Sequence, residues 1–465
     1  MTSTAAFQLV SIPHVVKGRV IEDPVVAYPS ATETGFATPR LDLDELVWAR
    51  NESLPAVDVP VAEVIDLLVA TGERLRQDPG GVVQNALEGL LQTSPYERRI
   101  IENAYEDLGL SFRADNLRAQ LENELGGTDV VDGWRRRETS NGRGGFIRAF
   151  PNRLIHVLAG NSPAVAAQTV ARGALMKGVH LLKMPSNDLL TATAVLRTMA
   201  AVAPDHPTVS SFSAVYWRGG DAAVEGTLFR AQFFDKIVAW GGDAAIRNAA
   251  KYLGPGFELI SFDPKSSISM IGRSALITEE SIRQAASRGA KDSAFLNQEA
   301  CTSSRLHFVE GNLEQIDRYC EQLQLELCRE RRYTSEQVRP PSLELREEIS
   351  ALGSFDSDCR VFGRPDGHGL VVRSAEPVDF YPEGKTVNVV AVDDLTEAMR
   401  YINVATQTVG VYPSSLKTDL RNDLASAGAQ RVITLGEVPS GLIPGFPHDG
   451  FFPLHRFVRW VSDED

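Results

Sequence analysis

Apolar positions along this chain alternate between short runs and helical stripes, most regularly between residues 154 and 271. The runs at 154–159, 179–183, 209–217, 236–240 and 257–262 read as buried strands. The stripes at 163–176, 189–202, 222–231 and 244–253 repeat every three or four residues and read as helices. Strand and helix in strict succession predict a largely parallel sheet with helices on both faces. Further on, 279–289 and 313–329 read as helices flanking a strand at 305–309. Arg339-Pro340-Pro341-Ser342 marks a break. Strands at 387–392, 408–412 and 431–435 then alternate with helices at 395–404 and 416–427, a second α/β unit.

The flanks are less regular. Residues 1–55 mix β-like runs, such as 14–21, with turns rich in Pro and Thr. From 61 to 124 the period is helical, and Ser94-Pro95-Tyr96-Glu97 reads as an N-cap, a proline at the first helical position and the glutamate of a capping box. Residues 129–150 gather Arg135, Arg136, Arg137, Arg143 and Arg148 around glycines. That pattern fits an exposed hairpin with a solvated basic face or, alternatively, a site for a phosphate-bearing ligand. The end, 446–461, reads as a loop leading into a final strand, either the edge of its own sheet or a strand added to a neighbouring subunit.

At 465 residues, 43% of them hydrophobic, the chain is long enough for two or three domains. Asp and Glu (61) outnumber Lys and Arg (47), and the net charge of -14 disfavours nucleic acid or an anionic membrane surface as a general partner. Cys301, Cys320, Cys328 and Cys359 have no zinc-ligand spacing, so neither a disulfide framework nor a metal site is expected. Cys320 and Cys328 are expected on the inner face of the helix at 313–329. With no basic leader before an apolar core and no run near twenty apolar residues, the expectation is a cytoplasmic protein without a membrane span.

Three stretches carry candidate chemistry. Asn297-Gln298-Glu299-Ala300-Cys301-Thr302-Ser303-Ser304-Arg305 places a thiol among amide, carboxyl, hydroxyl and guanidinium groups, which suits a nucleophile; a loop cysteine without a role is the alternative. The turns Ala159-Gly160-Asn161-Ser162-Pro163 and Trp240-Gly241-Gly242-Asp243 each end a strand and open a helix. There glycine lets a ligand approach the backbone, and a helix N-terminus offers N–H groups to an anion. No G-x-G-x-x-G occurs in this segment, so a turn that simply needs glycine fits equally well. His156 and His307 lie on strands and read as core residues; His448 reads as a turn-stabilising residue or a catalytic one.

Taken together, Asn161 in Leu158-Ala159-Gly160-Asn161-Ser162-Pro163, Lys183 in Leu182-Lys183-Met184-Pro185-Ser186-Asn187-Asp188, Trp240-Gly241-Gly242, Lys265-Ser266 and the Cys301 segment stand in the order and approximate spacing of the aldehyde dehydrogenase superfamily. From about residue 146 onward the chain most resembles the acyl-CoA reductases of the LuxC family, which supply fatty aldehyde in bacterial luminescence. His448-Asp449-Gly450 and Arg459-Trp460 strengthen the narrower resemblance. It implies an α/β, aldehyde dehydrogenase-like fold: a Rossmann-type parallel-sheet cofactor domain, an α/β catalytic domain and a small β oligomerisation arm. The divisions then fall at 1–128 with 146–271 for the helical layer and nucleotide-binding domain, 272–436 for the catalytic domain, and 129–145 with 437–465 for the arm and tail. A homo-oligomer is implied as well.

The activity implied is NADPH-dependent reduction of an acyl thioester to the aldehyde, the donor being an acyl-CoA or an acyl carrier, with an acyl-protein synthetase as a further partner. Cys301 would attack the thioester carbonyl, and Asn161 with the Cys301 backbone N–H would hold the oxyanion. Lys183 would meet the adenosine ribose and Gly241 and Gly242 the pyrophosphate, with Gly160 and Ser186 grouped beside them. Ser186 and Asn187 are neutral where NAD sites usually place a carboxylate, which favours NADPH and leaves NADH open; Asp188 follows, and reads equally as a helix N-cap.

Ser261 is the informative departure. It stands four residues before Lys265, where hydrolytic members of the superfamily carry the glutamate that activates water. Serine cannot serve as that base, although Glu258 and Glu299 are nearby carboxylates that could. Gln298 lies three residues before Cys301, where the oxidising enzymes have glutamine two before, and Glu383 is offset from the glutamate that steadies the nicotinamide ribose. Aldehyde oxidation, acyl-phosphate reduction and a non-catalytic scaffold remain the alternatives.

Overall fold

A computed structural model describes residues 9–355 and 358–464. The chain divides into two compact units, Met1–Asp263 with Ile443–Asp465, and Pro264–Leu442.

The first unit is built on a seven-stranded sheet in the order Glu258–Phe262, Lys236–Trp240, Arg153–Val157, Val179–Lys183, Phe212–Val215, His14–Val16, Arg19–Ile21. The first five of these strands run parallel. Their order reverses between Arg153–Val157 and Lys236–Trp240, and in such sheets a ligand binds outside the carboxyl ends of the strands at that reversal. The two turns that stand out in the sequence, at Gly160 and at Gly241, leave those two strands. An antiparallel hairpin closes the far edge through Lys17 and Gly18, whose φ values of 48° and 77° are those of a two-residue primed turn.

Helices cover the sheet because their apolar stripes need a partner. Val61–Gln77 turns Val61, Val64, Ile65, Leu68 and Leu75 inward, and each such side chain contributes roughly 1.5–3 kcal/mol when fully buried. The chain departs locally from the expected pattern. Ser94 is the C-cap of Val82–Thr93, its N–H bonded to Leu90 O, and the next helix begins only at Arg98 with no side-chain cap, so the capping box is not formed. Val209 belongs to a short helix, Pro207–Ser210, started by Pro207 and capped by the His206 ring, which delays the strand to Phe212. A separate antiparallel sheet joins Arg135–Glu138, Gly144–Pro151 and Val458–Glu464, and the tail enters it through a helix, Pro453–Phe457, where a loop is expected. The final strand therefore lies at the edge of a sheet of its own chain.

The second unit carries a sheet in the order Arg360–Arg364, Gly369–Ser374, Thr386–Val392, Ser304–Glu310, Ser266–Ile271, Thr406–Tyr412, Arg431–Thr434, parallel except for the first strand. Ser266–Ile271 is hydrogen-bonded on both sides within this sheet, so the division falls after Asp263 rather than after 271. Residues 437–442 also belong to this unit, not to the tail. Glu279–Ser293 and Leu313–Leu327 pack on one face, with Cys320 fully buried among them. Cys328, by contrast, is the C-cap of Leu313–Leu327 and only half-buried. Among the described residues no helix is long and apolar enough to cross a membrane, and no cluster of His, Cys, Asp or Glu could hold a metal ion.

Candidate active site

Cys301 is exposed at the amino ends of the parallel strands of the second unit, in the turn that leads into Ser304–Glu310. The approach to it is strained: Leu296, Asn297 and Gln298 all lie in the left-handed region, with φ of 47°, 54° and 72°. Each costs on the order of 1 kcal/mol, and a run of three persists only where its surroundings enforce it. Asn297 exchanges two hydrogen bonds with Ser335, Nδ2 to Oγ at 3.0 Å and Ser335 N to Oδ1 at 2.8 Å. Gln298, buried, donates from Nε2 to Thr386 O at 2.8 Å. The Arg305 guanidinium donates to Gln298 O and to Pro382 O and lies 4.5 Å from the centre of the Tyr381 ring. Gln298 and Arg305 are thus parts of the frame around the thiol.

Below the turn, Ser267 Oγ donates to Cys301 O at 2.8 Å and accepts from Thr408 N at 3.2 Å. Ladder register breaks on both sides of Ser267. Pairing with Thr406–Tyr412 jumps from Ser266↔Thr406 to Ile268↔Val409, and pairing with Ser304–Glu310 jumps from Ser267↔Ser304 to Ile268↔Leu306. Bulges of this kind re-aim side chains. Here Gln407, itself buried, donates from Nε2 to Cys301 Sγ at 3.3 Å.

Charge around the thiol comes from Arg431, at the start of the edge strand. Its Nη2 donates to Gly441 O at 2.6 Å and its Nη1 is buried with no hydrogen-bond partner among the described residues; burial lowers its pKa, with the charges of Asp292 and Cys301 acting in the opposite sense. Burial pushes Asp292 up to about 7 against two backbone donors, Gly436 N at 2.7 Å and Val438 N at 2.9 Å. Loss of solvent raises Glu299, opposed by Arg305 and reinforced by Glu383, which accepts from Ser342 N at 3.1 Å. Gln407, Arg431 and Asp292 are not singled out in the sequence. A buried glutamine in an otherwise apolar and threonine-rich strand is the signal that could have found the first of them.

In the first unit, Asn161 and Ser162 are half-buried in the turn after Arg153–Val157. An added Cβ on Gly160 would lie 2.0 Å from Asn187 Oδ1, so this glycine is required by packing within the protein. Gly241, at φ 148°, does need glycine's conformational freedom, and around Gly242 there is open space at the N-terminus of Asp243–Ala250. Lys183 is 9% exposed at the end of its strand, with no hydrogen-bond partner for its ammonium among the described residues and its Nζ 5.6 Å from the centre of the Tyr216 ring. Burial lowers it to about 8, with Glu225 acting in the opposite sense.

The carboxylates of this region are occupied. Asp188 Oδ1 accepts from Thr191 N at 3.1 Å and Thr191 Oγ1 at 2.7 Å, closing the first turn of Thr191–Val202. Glu225 accepts from Trp217 Nε1, Gly220 N, Asn248 Nδ2 and Tyr252 OH. Asp221 caps Ala222–Leu228, whereas Ser186 is exposed. Glu258 lies at the amino end of its strand, paired with Lys236 at 2.9 Å and Arg456 at 2.5 Å, so it is no substitute for a base at Ser261 near the strand's other end.

His156, His180 and His307 are buried and bonded to other core groups. His156 and His180 share a buried hydrogen bond of 3.0 Å, and His307 bridges Ser293 Oγ (2.9 Å) and Tyr319 OH (2.8 Å). His448 packs its ring against Trp240 and Phe262, which stack with centroids 3.5 Å apart, and approaches Arg172 Nη1 at 3.5 Å, docking the tail. Arg135 pairs with Asp129 and Arg136 with Glu138, a solvated hairpin face.

Comparison with known proteins extends the resemblance toward the N-terminus, well before residue 146. The profile of the acyl-CoA reductase (LuxC) family matches residues 56–460. The long-chain acyl-protein thioester reductase of Vibrio harveyi is 26% identical over 417 residues, 88% of this chain and 83% of that protein. The protein of the same name from Photorhabdus laumondii is 31% identical over 353 residues, 74% of this chain and 69% of the relative. Among solved structures, an NAD-dependent aldehyde dehydrogenase from Sinorhizobium meliloti superposes with a TM-score of 0.71 at 14% identity, covering 100% of this chain and 97% of its own. An NADP-dependent glyceraldehyde-3-phosphate dehydrogenase from Bacillus halodurans, complexed with NADP, gives 0.69 at 12% identity over 98% of this chain and 100% of its own. The fold is that of the aldehyde dehydrogenases, and the chain belongs to the acyl-CoA reductase (LuxC) family.

Proposed function

We propose that this protein reduces a long-chain acyl thioester to the aldehyde through an acyl-Cys301 intermediate, with NADPH as the reductant. The observation that carries the reading is an exposed sulfur on a strained, cross-braced turn with an amide N–H on it at 3.3 Å. Cys301 attacks the thioester carbon as thiolate, the donor thiolate leaves, and the acyl group stays on sulfur. Asn161 keeps its proposed role as an oxyanion donor, with the Cys301 N–H. A reduced nicotinamide nucleotide, when bound, supplies the hydride that takes the acyl group to the aldehyde level. Ser261 offers no carboxylate to aim water at the acyl-enzyme.

The first unit suits such a nucleotide. Gly241 and Gly242 open a helix at the sheet's reversal point, and Lys183 presents an ammonium without a hydrogen-bond partner among the described residues. With Asp188, Asp221 and Glu225 committed to backbone and side-chain donors, and Ser186 and the exposed Arg218 nearby in the same loops, the site favours a 2′-phosphate over a bare 2′-hydroxyl. The donor is proposed to be acyl-CoA or an acyl-protein, as the relatives' names suggest.

The test is direct. Incubation with a long-chain acyl-CoA and no nucleotide should leave an acyl adduct on the Cys301 peptide by mass spectrometry, and NADPH should then release aldehyde. Cys301→Ala should abolish both. An adduct formed from an acyl phosphate and not from the thioester would defeat the proposal.

A further inference from the structure

Two register shifts meet at Ser267, and their combined effect is to give Cys301 a dedicated hydrogen-bond donor. On the side of Thr406–Tyr412, two residues, Gln407 and Thr408, stand opposite the single Ser267. Thr408 takes the ladder's role, its N–H bonding Ser267 Oγ at 3.2 Å. Gln407 is left to point its carboxamide at the sulfur, Nε2 to Sγ at 3.3 Å, while Thr408 Oγ1 donates to Gln407 Oε1 at 3.4 Å and holds the amide in that sense. The cysteine backbone is fixed from the same place, Ser267 Oγ donating to Cys301 O at 2.8 Å. Gln407 is only 3% exposed, so a strand position that would otherwise take an apolar side chain carries an amide whose N–H reaches the reacting atom.

We propose that the Gln407 carboxamide is a thiolate-stabilising donor, holding the Cys301 sulfur as nucleophile and receiving it again as leaving group. A sulfur carrying full negative charge is a strong acceptor; the same sulfur in a thioester is a poor one. The N–H therefore favours the thiolate at both ends of the cycle. In the last step the thiohemiacetal alkoxide left by hydride addition re-forms the C=O bond, the C–S bond breaks, and its electron pair returns to the Sγ that Gln407 faces. Arg431, on the edge strand, adds a positive charge whose field reaches both Cys301 and Asp292, and the charge of Arg305 opposes the burial that raises Glu299.

This inference rests on Cys301 being the nucleophile, but its test needs neither acyl donor nor nucleotide. The rate of iodoacetamide alkylation at the Cys301 peptide is followed by mass spectrometry from pH 5.5 to 9.5 in the full chain and in Gln407→Met. The alkylation midpoint should rise by about one pH unit, which slows labelling about tenfold at neutral pH. Gln407→Glu should raise it further. A midpoint in Gln407→Met within about 0.3 unit of the native protein would overturn the proposal, whatever Gln407→Glu does. Should Gln407→Met fail to fold, Gln407→Asn, which withdraws the amide by one methylene, is read the same way. A native midpoint coupled with no thioester reduction would instead count against the proposed function and leave this inference standing or falling on the variants alone.

Discussion

Replacing Gly160 by alanine tests whether the turn that bears Asn161 is held by packing. The new Cβ would stand 2.0 Å from Asn187 Oδ1, 2.7 Å from Asn187 Cγ and 3.0 Å from Pro185 Cγ. Asn187 cannot swing aside without loss, because its Nδ2 donates to Tyr96 OH at 2.9 Å. Overpacking of this kind costs about 1–3 kcal/mol, and the lost hydrogen bond adds about 1 kcal/mol, so Gly160→Ala should destabilise the first unit by roughly 2–4 kcal/mol.

Asn187→Ala alone removes only the hydrogen bond and should cost about 1 kcal/mol. In the double variant the nearest obstacle left is Pro185 Cγ at 3.0 Å, a contact that a shift of a few tenths of an ångström relieves. The double variant should therefore be little worse than Asn187→Ala, a coupling nearly as large as the Gly160→Ala cost itself, roughly 2–4 kcal/mol. Urea unfolding followed by tryptophan emission measures it in the right place, since Trp48, Trp134, Trp217, Trp240 and Trp460 all belong to the first unit. Destabilisations that add to within about 0.5 kcal/mol would refute the idea that Gly160 is there for Asn187.

Three other outcomes follow from the geometry. Stability should fall with acid below about pH 6.5: burial holds His14 near 4, His180 and His307 near 3, and His156 well below its ordinary value, so the unfolded chain binds those protons first. Glu124 and Asp292, raised to about 7, act in the opposite sense, as do Asp188 and Glu299, which burial also raises, and the four histidines leave a net slope on the order of 1 kcal/mol per pH unit, rising with pH; a flat or inverted slope in urea titrations between pH 6.5 and 4.5 would contradict the assignment. Lys183→Met should raise the KM for NADPH about tenfold or more with little change in kcat, and native affinity should weaken as pH rises through about 8, where the ammonium loses its proton; equal KM values for variant and native protein would remove Lys183 from the site. Ser261→Glu should shift product from aldehyde toward free acid, measured by chromatography after acyl-CoA turnover, and an unchanged ratio would mean that the residue does not stand where water would attack.

What could be read from the sequence was whatever depends on local period and on glycine. The succession of strands from Arg153 to Phe262 follows from apolar runs with helical stripes between them, and the two turns at the sheet's reversal point carry their glycines openly. Ser94 and Val209 misled for a related reason. Each has the right residue type for a helix start or a strand, but Pro95 after Leu90–Ser94 and Pro207 after the His206 cap settle the local geometry differently. The N-terminal hairpin was legible as strand but not as the far edge of the first unit's sheet, since its partner, Phe212–Val215, lies about 200 residues away in sequence, on the order of a whole domain.

The surroundings of Cys301 were legible in type and hidden in arrangement. A thiol among polar residues is visible in the sequence; the donor on it is not, because Gln407 reaches it only through ladder shifts that depend on three strands meeting at one serine. The same strands show why a glutamine is tolerated there. In a regular ladder, alternation would put residue 407 on the face opposite 408, and a buried amide would cost on the order of 1–3 kcal/mol without a partner. The shift supplies both partners, Cys301 Sγ for the N–H and Thr408 Oγ1 for the oxygen, so the polar residue and the irregular register account for each other. Either alone would be a defect in a sheet otherwise packed with valine and isoleucine. Found together beside an exposed thiol, they supply the donor that the nucleophile proposed above would need to hold its charge.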